Sequence, residues 1–166
     1  MTTTLAQALA QDHADIDAGI AAFKAAGASA SACAALRTTL AALRRHIYLE
    51  EAMLFPPMRS GGAFAAIFVM LREHGEMWPL IDALDQRLAQ GLAGPQADEP
   101  LRQLEQTLAA HNDKEEKIIY SQADAAHAGA SAEQMLAFIA GGALPEGWVC
   151  ERARGGAKAP PFAPKA

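Results

Sequence analysis

The stretch His46-Ile-Tyr-Leu-Glu50-Glu51-Ala-Met-Leu-Phe55 recurs 65 residues later as His111-Asn-Asp-Lys-Glu115-Glu116-Lys-Ile-Ile-Tyr120. Each copy reads His, three residues, Glu-Glu, one residue, two aliphatics and an aromatic. On a helix, residues four apart lie on one face about a turn from each other. Neutral imidazole and carboxylate are the ligand types that take first-row transition metals. One such pair carries little information, because His and Glu are common on helix surfaces. Two matched pairs, each preceded by a further histidine (His13 and His74), constrain the fold strongly. They call for four helices that bring their ligands to one level of a shared interior.

The periodicity supplies those helices. Leu5, Leu9, Ile16, Ile20 and Phe23 form one apolar stripe, with His13 on it and a capping hydroxyl expected in the Thr2–Thr4 cluster. A second helix is expected over about 31–54, with Leu36, Leu40, Leu43, Ile47 and Leu54 inward, ended by Pro56-Pro57. A third, over about 63–89, carries Ile67, Leu71, Ile81, Leu84 and Leu88 with His74, and Pro79 predicts a kink just past the histidine. A fourth, over about 100–123, is capped by Asp98 and faces inward at Leu101, Leu104, Leu108, Ile118 and Ile119. Ser131-Ala-Glu-Gln134 resembles a capping box leading into a short helix with Met135, Leu136 and Ile139. The expected fold is therefore all-α: an antiparallel up-down-up-down four-helix bundle over residues 1–125. Residues 126–166 form a short C-terminal helix and a Pro/Gly/Ala-rich tail, flexible from about 153, on which Trp148 docks back. Measured from the intervening loops, the four histidines differ in level by roughly 3–8 Å at 1.5 Å per residue, so all four can meet.

Composition narrows the function. Hydrophobic residues make up 51% and charged residues 20% of the chain, as in a globular protein. The net charge of −5 gives no basic footprint for nucleic acid. The opening Met-Thr-Thr-Thr-Leu lacks the features of a secretory signal, and the longest apolar run, residues 63–71, is about half a bilayer span. Two distant cysteines, Cys33 and Cys150, make neither a disulfide framework nor a zinc ribbon. The expectation is a cytoplasmic protein without membrane or nucleic-acid partners.

Taken singly, a histidine on an apolar stripe is usually a core residue satisfied by its neighbours, and a glutamate usually faces solvent. Together, His13, His46, Glu50, His74, His111 and Glu115 form the candidate metal site, because buried carboxylates are costly unless compensated. Glu51 and Glu116 lie about 100° further round their helices and are expected behind the ligands or in solvent. Asp12 and Glu73 are of the type that orients an imidazole's second nitrogen, although helix neighbours rarely face each other. His127 reads as a surface residue, Tyr48, Tyr120 and Trp78 as packing. Four imidazoles and two carboxylates exceed what one tetrahedral zinc takes and suit two five- or six-coordinate metals bridged by the carboxylates. Iron fits this mixed ligation best, while ligand types alone leave zinc and manganese open.

The paired His-x3-Glu-Glu motifs, each with its preceding histidine, resemble the hemerythrin-like (HHE cation-binding) family over residues 1 to about 125. The resemblance implies two iron ions with an oxo or hydroxo bridge, His13, His46, His74 and His111 as terminal ligands and Glu50 and Glu115 as bridges. The oxygen-carrying members have a further histidine four residues on in the third helix, where this chain has Trp78. The four-His, two-Glu set is instead similar to di-iron proteins of nitrosative-stress defence and iron–sulfur repair. The implied function is binding of, or reaction with, O2, NO or peroxide, served by an electron-donor protein. An iron- or oxygen-sensing or iron-donating module without turnover, and a purely structural bundle, are the other readings.

Overall fold

The structure is a computed structural model that describes residues 3–92 and 95–154. The described residues are helical, with no strand among them. Helix α1 (Leu5–Ala26) starts at Thr4, whose hydroxyl accepts from the Gln7 amide while the Gln7 side chain accepts from the Thr4 amide. Two further orphan donors of its first turn, the amides of Leu5 and Ala6, give to Asp124 at 2.9 and 3.3 Å. Gly27 ends the helix at φ 70°, a backbone region where only glycine is unstrained. Helix α2 (Ala30–Leu49) is capped by Ser29 and continues into a π-helical turn, Glu50–Leu54, before the short 3-10 turn Pro56–Met58.

Helix α3 (Phe64–Ala89) runs through Pro79 as one element. Helix α4 (Pro95–Glu115) begins five residues before the expected start. Pro95 sits where a missing N–H has no intrahelical partner to lose, and Pro100 is carried inside the helix. Asp98 is consequently not a cap but a first-turn acid, still suited to the positive end of the helix dipole. Residues 93 and 94 of the expected connection lie outside the described residues. A second π-helical turn, Glu116–Tyr120, follows α4 and leads into α5 (Ser121–Ala126).

The last helix, α6 (Ala130–Gly141), packs on α1 and α2. The expected capping box at Ser131 does not form. Gly129 precedes the helix without a side-chain cap, and the Ser131 hydroxyl pairs with His127 Nδ1 instead. His127 itself corrects its surface reading: it is 4% exposed, with Nε2 donating to the Leu54 carbonyl at 2.9 Å. That carbonyl lies where the two prolines end the helix, so an acceptor is left over for a side chain to satisfy. Beyond α6 a strap over 142–154 returns across the bundle. Trp148 packs edge-on against Tyr48 and Trp78, and Cys150 is fully buried. Ala153 and Arg154 lie in a turn closed on the Cys150 carbonyl; the remainder of the expected tail, 155–166, lies outside the described residues.

Helices α1 and α2, α2 and α3, and α3 and α4 pack as neighbours. Their apolar stripes make two separate core clusters. One gathers Ile16, Ile20, Leu36, Leu40, Leu43, Met77, Ile81, Leu104 and Leu108; the other gathers Leu5, Leu9, Leu54, Phe55, Ile67, Leu71 and Ile119. Every one of the four long helices, or the π turn extending it, passes from one cluster to the other, and each places its histidine at the crossing. A polar layer is thus sealed between two hydrophobic ones.

Candidate metal centre

All six predicted residues lie in this layer, and all are 0–3% exposed. They fall into two overlapping groups whose ligand atoms lie within 4.8 Å of one another: His13, His46, Glu50 and Glu115, and Glu50, His74, His111 and Glu115. Both groups contain both glutamates. Glu50 Oε1 lies 3.0 Å from His46 Nε2, and Oε2 lies 3.3 Å from His74 Nε2. Glu115 Oε2 lies 3.1 Å from His111 Nε2 and 3.6 Å from His13 Nε2.

Every histidine turns its Nδ1 outward to a carboxylate on a different helix or π turn. His46 meets Asp12 at 2.7 Å, His111 meets Glu73 at 3.0 Å, His74 meets Glu51 at 2.9 Å and His13 meets Glu116 at 3.0 Å. Such partners fix the tautomer that leaves the Nε2 lone pair facing inward. The pattern has approximate two-fold repetition, in which the Asp12-His13 and Glu50-Glu51 pairs match Glu73-His74 and Glu115-Glu116. Glu51 and Glu116 therefore sit behind ligands as expected. Asp12 and Glu73 also orient imidazoles, though not those of their sequence neighbours.

The π turns account for the aromatic end of each repeat. A π turn accommodates one residue more than an α turn, so the residue five beyond each glutamate returns to the inner face. Tyr120 and Phe55 occupy those positions, and Ile118, expected inward, is 43% exposed. The Tyr120 hydroxyl donates to Glu50 Oε1 at 2.6 Å and lies 3.0 Å from both His46 Nε2 and His13 Nε2. Tyr120 is thus not merely packing. Phe55 stacks on His74 with ring centroids 6.0 Å apart. Trp78 remains a core residue, packed on Trp148 with the Arg44 guanidinium over its ring.

The electrostatics mark a site built for positive charge. Burial disfavours charged imidazole, yet Glu50 and the Asp12 hydrogen bond outweigh it and push His46 up to about 10. Glu115 and Glu73 do the same for His111, also to about 10. Burial works against the Glu50 carboxylate, but His46 and His74 hold it well below the usual carboxylate range. Burial, then the charges of Glu115 and Glu50, push the Tyr120 phenol well above its ordinary value. Four buried atoms still have no hydrogen-bond partner: Glu50 Oε2, His74 Nε2 and both oxygens of Glu115. Orphaned carboxylate oxygens and an orphaned imidazole nitrogen, converging and dry, fit metal ions in both number and chemistry.

Helices that carry a buried His/Glu layer with carboxylate-anchored imidazoles define a metal-binding helical domain. The chain belongs to the hemerythrin HHE cation-binding domain family, whose model matches residues 4–123. No curated protein and no solved structure matches the chain. No helix among the described residues is long and apolar enough to cross a membrane.

Proposed function

We propose that this chain is a non-haem di-iron protein that binds or reacts with O2, NO or peroxide. His13 and His46 hold one iron, His74 and His111 the other, and Glu50 and Glu115 are shared. The observation that carries this reading is the overlap of the two ligand groups in both glutamates. A pair of irons would supply up to two electrons to a bound small molecule. The protein's own part is to present inward lone pairs, anchor each imidazole from outside and keep water away with the two apolar clusters. Ligands no more than 3% exposed favour a diatomic or peroxide over any larger substrate. The alternation of the helices between the two clusters supports an antiparallel up-down-up-down order, and the two free cysteines suit a cytoplasmic setting.

Elemental analysis of the purified chain, with its near-ultraviolet spectrum, tests the proposal. Two irons per chain, reduced in His74→Ala with helicity retained, is the expected result. Zinc, one iron or no metal overturns it. A second reading, an iron- or oxygen-sensing module without turnover, is favoured by one contact. The Glu151 amide in the strap donates to Glu51 Oε2 at 2.7 Å, and Glu51 Oε1 holds His74. Hydrogen exchange over 142–154 that changes on iron loading supports it.

A further inference from the structure

Tyr120 lies inside the centre but outside the six-residue ligand set. Its oxygen stands 2.6 Å from Glu50 Oε1 and 3.0 Å from the Nε2 atoms of His13 and His46. The Nδ1 positions of these two histidines are taken up by Glu116 and Asp12, so both Nε2 lone pairs aim at the phenolic oxygen. That oxygen has one proton, directed at Glu50. Four electron-pair donors thus converge within hydrogen-bond distance around a single phenolic proton, and their meeting point calls for a cation.

The matching position in the other half is Phe55, whose ring stacks on His74 and offers no ligand atom. The orphaned His74 Nε2 and Glu50 Oε2 both fall on that second side. The two halves of the centre therefore differ by one oxygen atom, supplied by the π turn after α4 and withheld by the one after α2.

We propose that Tyr120 is a seventh protein ligand, its phenolic oxygen coordinating the metal held by His13 and His46. The metal held by His74 and His111 then keeps the position at which a small molecule binds. This rests on the two-metal reading above. On coordination the Tyr120 O–H bond breaks heterolytically, the oxygen bonds the metal, and the proton passes to solvent with no change of oxidation state. A bound cation reverses the local preference that keeps the phenol protonated beside carboxylates.

The test is resonance Raman and visible absorption of the full chain loaded with ferric iron, with iron content measured on the same sample. The expected result is a phenolate-to-iron charge-transfer band with enhanced tyrosine ring modes. Both are lost in Tyr120→Phe at unchanged helicity and both persist in Tyr48→Phe. The chain has two tyrosines, and Tyr48 packs against Phe138 and Trp148 away from the centre. If Tyr120→Phe does not fold, the wild-type spectrum with Tyr48→Phe still decides. Two irons without phenolate modes, or a band that survives Tyr120→Phe, overturns the ligand assignment and leaves the di-iron reading standing. A chain that takes up no iron overturns both.

Discussion

At the scale of single residues, the centre depends on side chains that never reach the metal position. Asp12 is 8% exposed and divides its two oxygens between His46 Nδ1 and Arg45. Burial alone would raise its carboxyl, but His46 and then Arg45 hold it below the ordinary value, so it stays ionised and acceptor-only. Asp12→Asn keeps the shape and removes the charge that fixes the His46 tautomer. It should weaken iron binding by about 10–100-fold, the usual effect of losing such a partner, with circular dichroism unchanged. Unaltered affinity in a chelator competition would reduce Asp12 to a solvated companion of Arg45. His127 offers a control remote from the metal. Replacing it with alanine leaves the Leu54 carbonyl unsatisfied and should cost about 1–3 kcal/mol in chemical denaturation while iron content holds.

At the scale of elements, the strap and the π turns build what four regular helices would not. The strap approaches α3 so closely that a Cβ at Gly75 would lie 2.5 Å from Arg152 Cβ. Both atoms are near the backbone, so neither can swing away. Gly75→Ala should therefore lift the strap, outweighing the gain of about 1 kcal/mol in helix propensity, and lower the melting temperature. Cys150 reports the same event, because it is fully buried and burial pushes its thiol up to about 11. In the parent chain it should resist alkylation at neutral pH, and in Gly75→Ala it should react. Equal alkylation rates would show that the strap closes over an alanine. Because Glu151 reaches Glu51, lifting the strap should also speed iron loss from the His74 side.

At the scale of the molecule, two hydrophobic clusters enclose a layer of four imidazoles and their carboxylates. Hydrophobic burial supplies the stability on either side, and the layer itself is costly unless a cation balances it. A ligand that binds only the folded state stabilises it in proportion to the logarithm of its free concentration over Kd. Chelation should thus lower the melting temperature, and iron should restore it. A melting temperature indifferent to chelators would identify a structural bundle with buried histidines.

The sequence by itself determined the six inward residues, because residues four apart share a helix face whatever the helix packs on. It determined the apolar stripes of α1, α2 and α3 for the same reason. It did not reveal that Asp12 serves His46 and Glu73 serves His111. Helix neighbours diverge by about 100°, so a carboxylate beside one ligand points to another helix, and only packing says which. The inward Ile118 failed where a π turn added a residue to the repeat, and that same turn carried Tyr120 into the centre. His127 and Ser131 were misplaced because their partners, a carbonyl left over beside two prolines and each other, come together only after α6 docks. Local periodicity settles which face a side chain takes; which partner it finds there depends on contacts far along the chain, and the tertiary structure alone decided those.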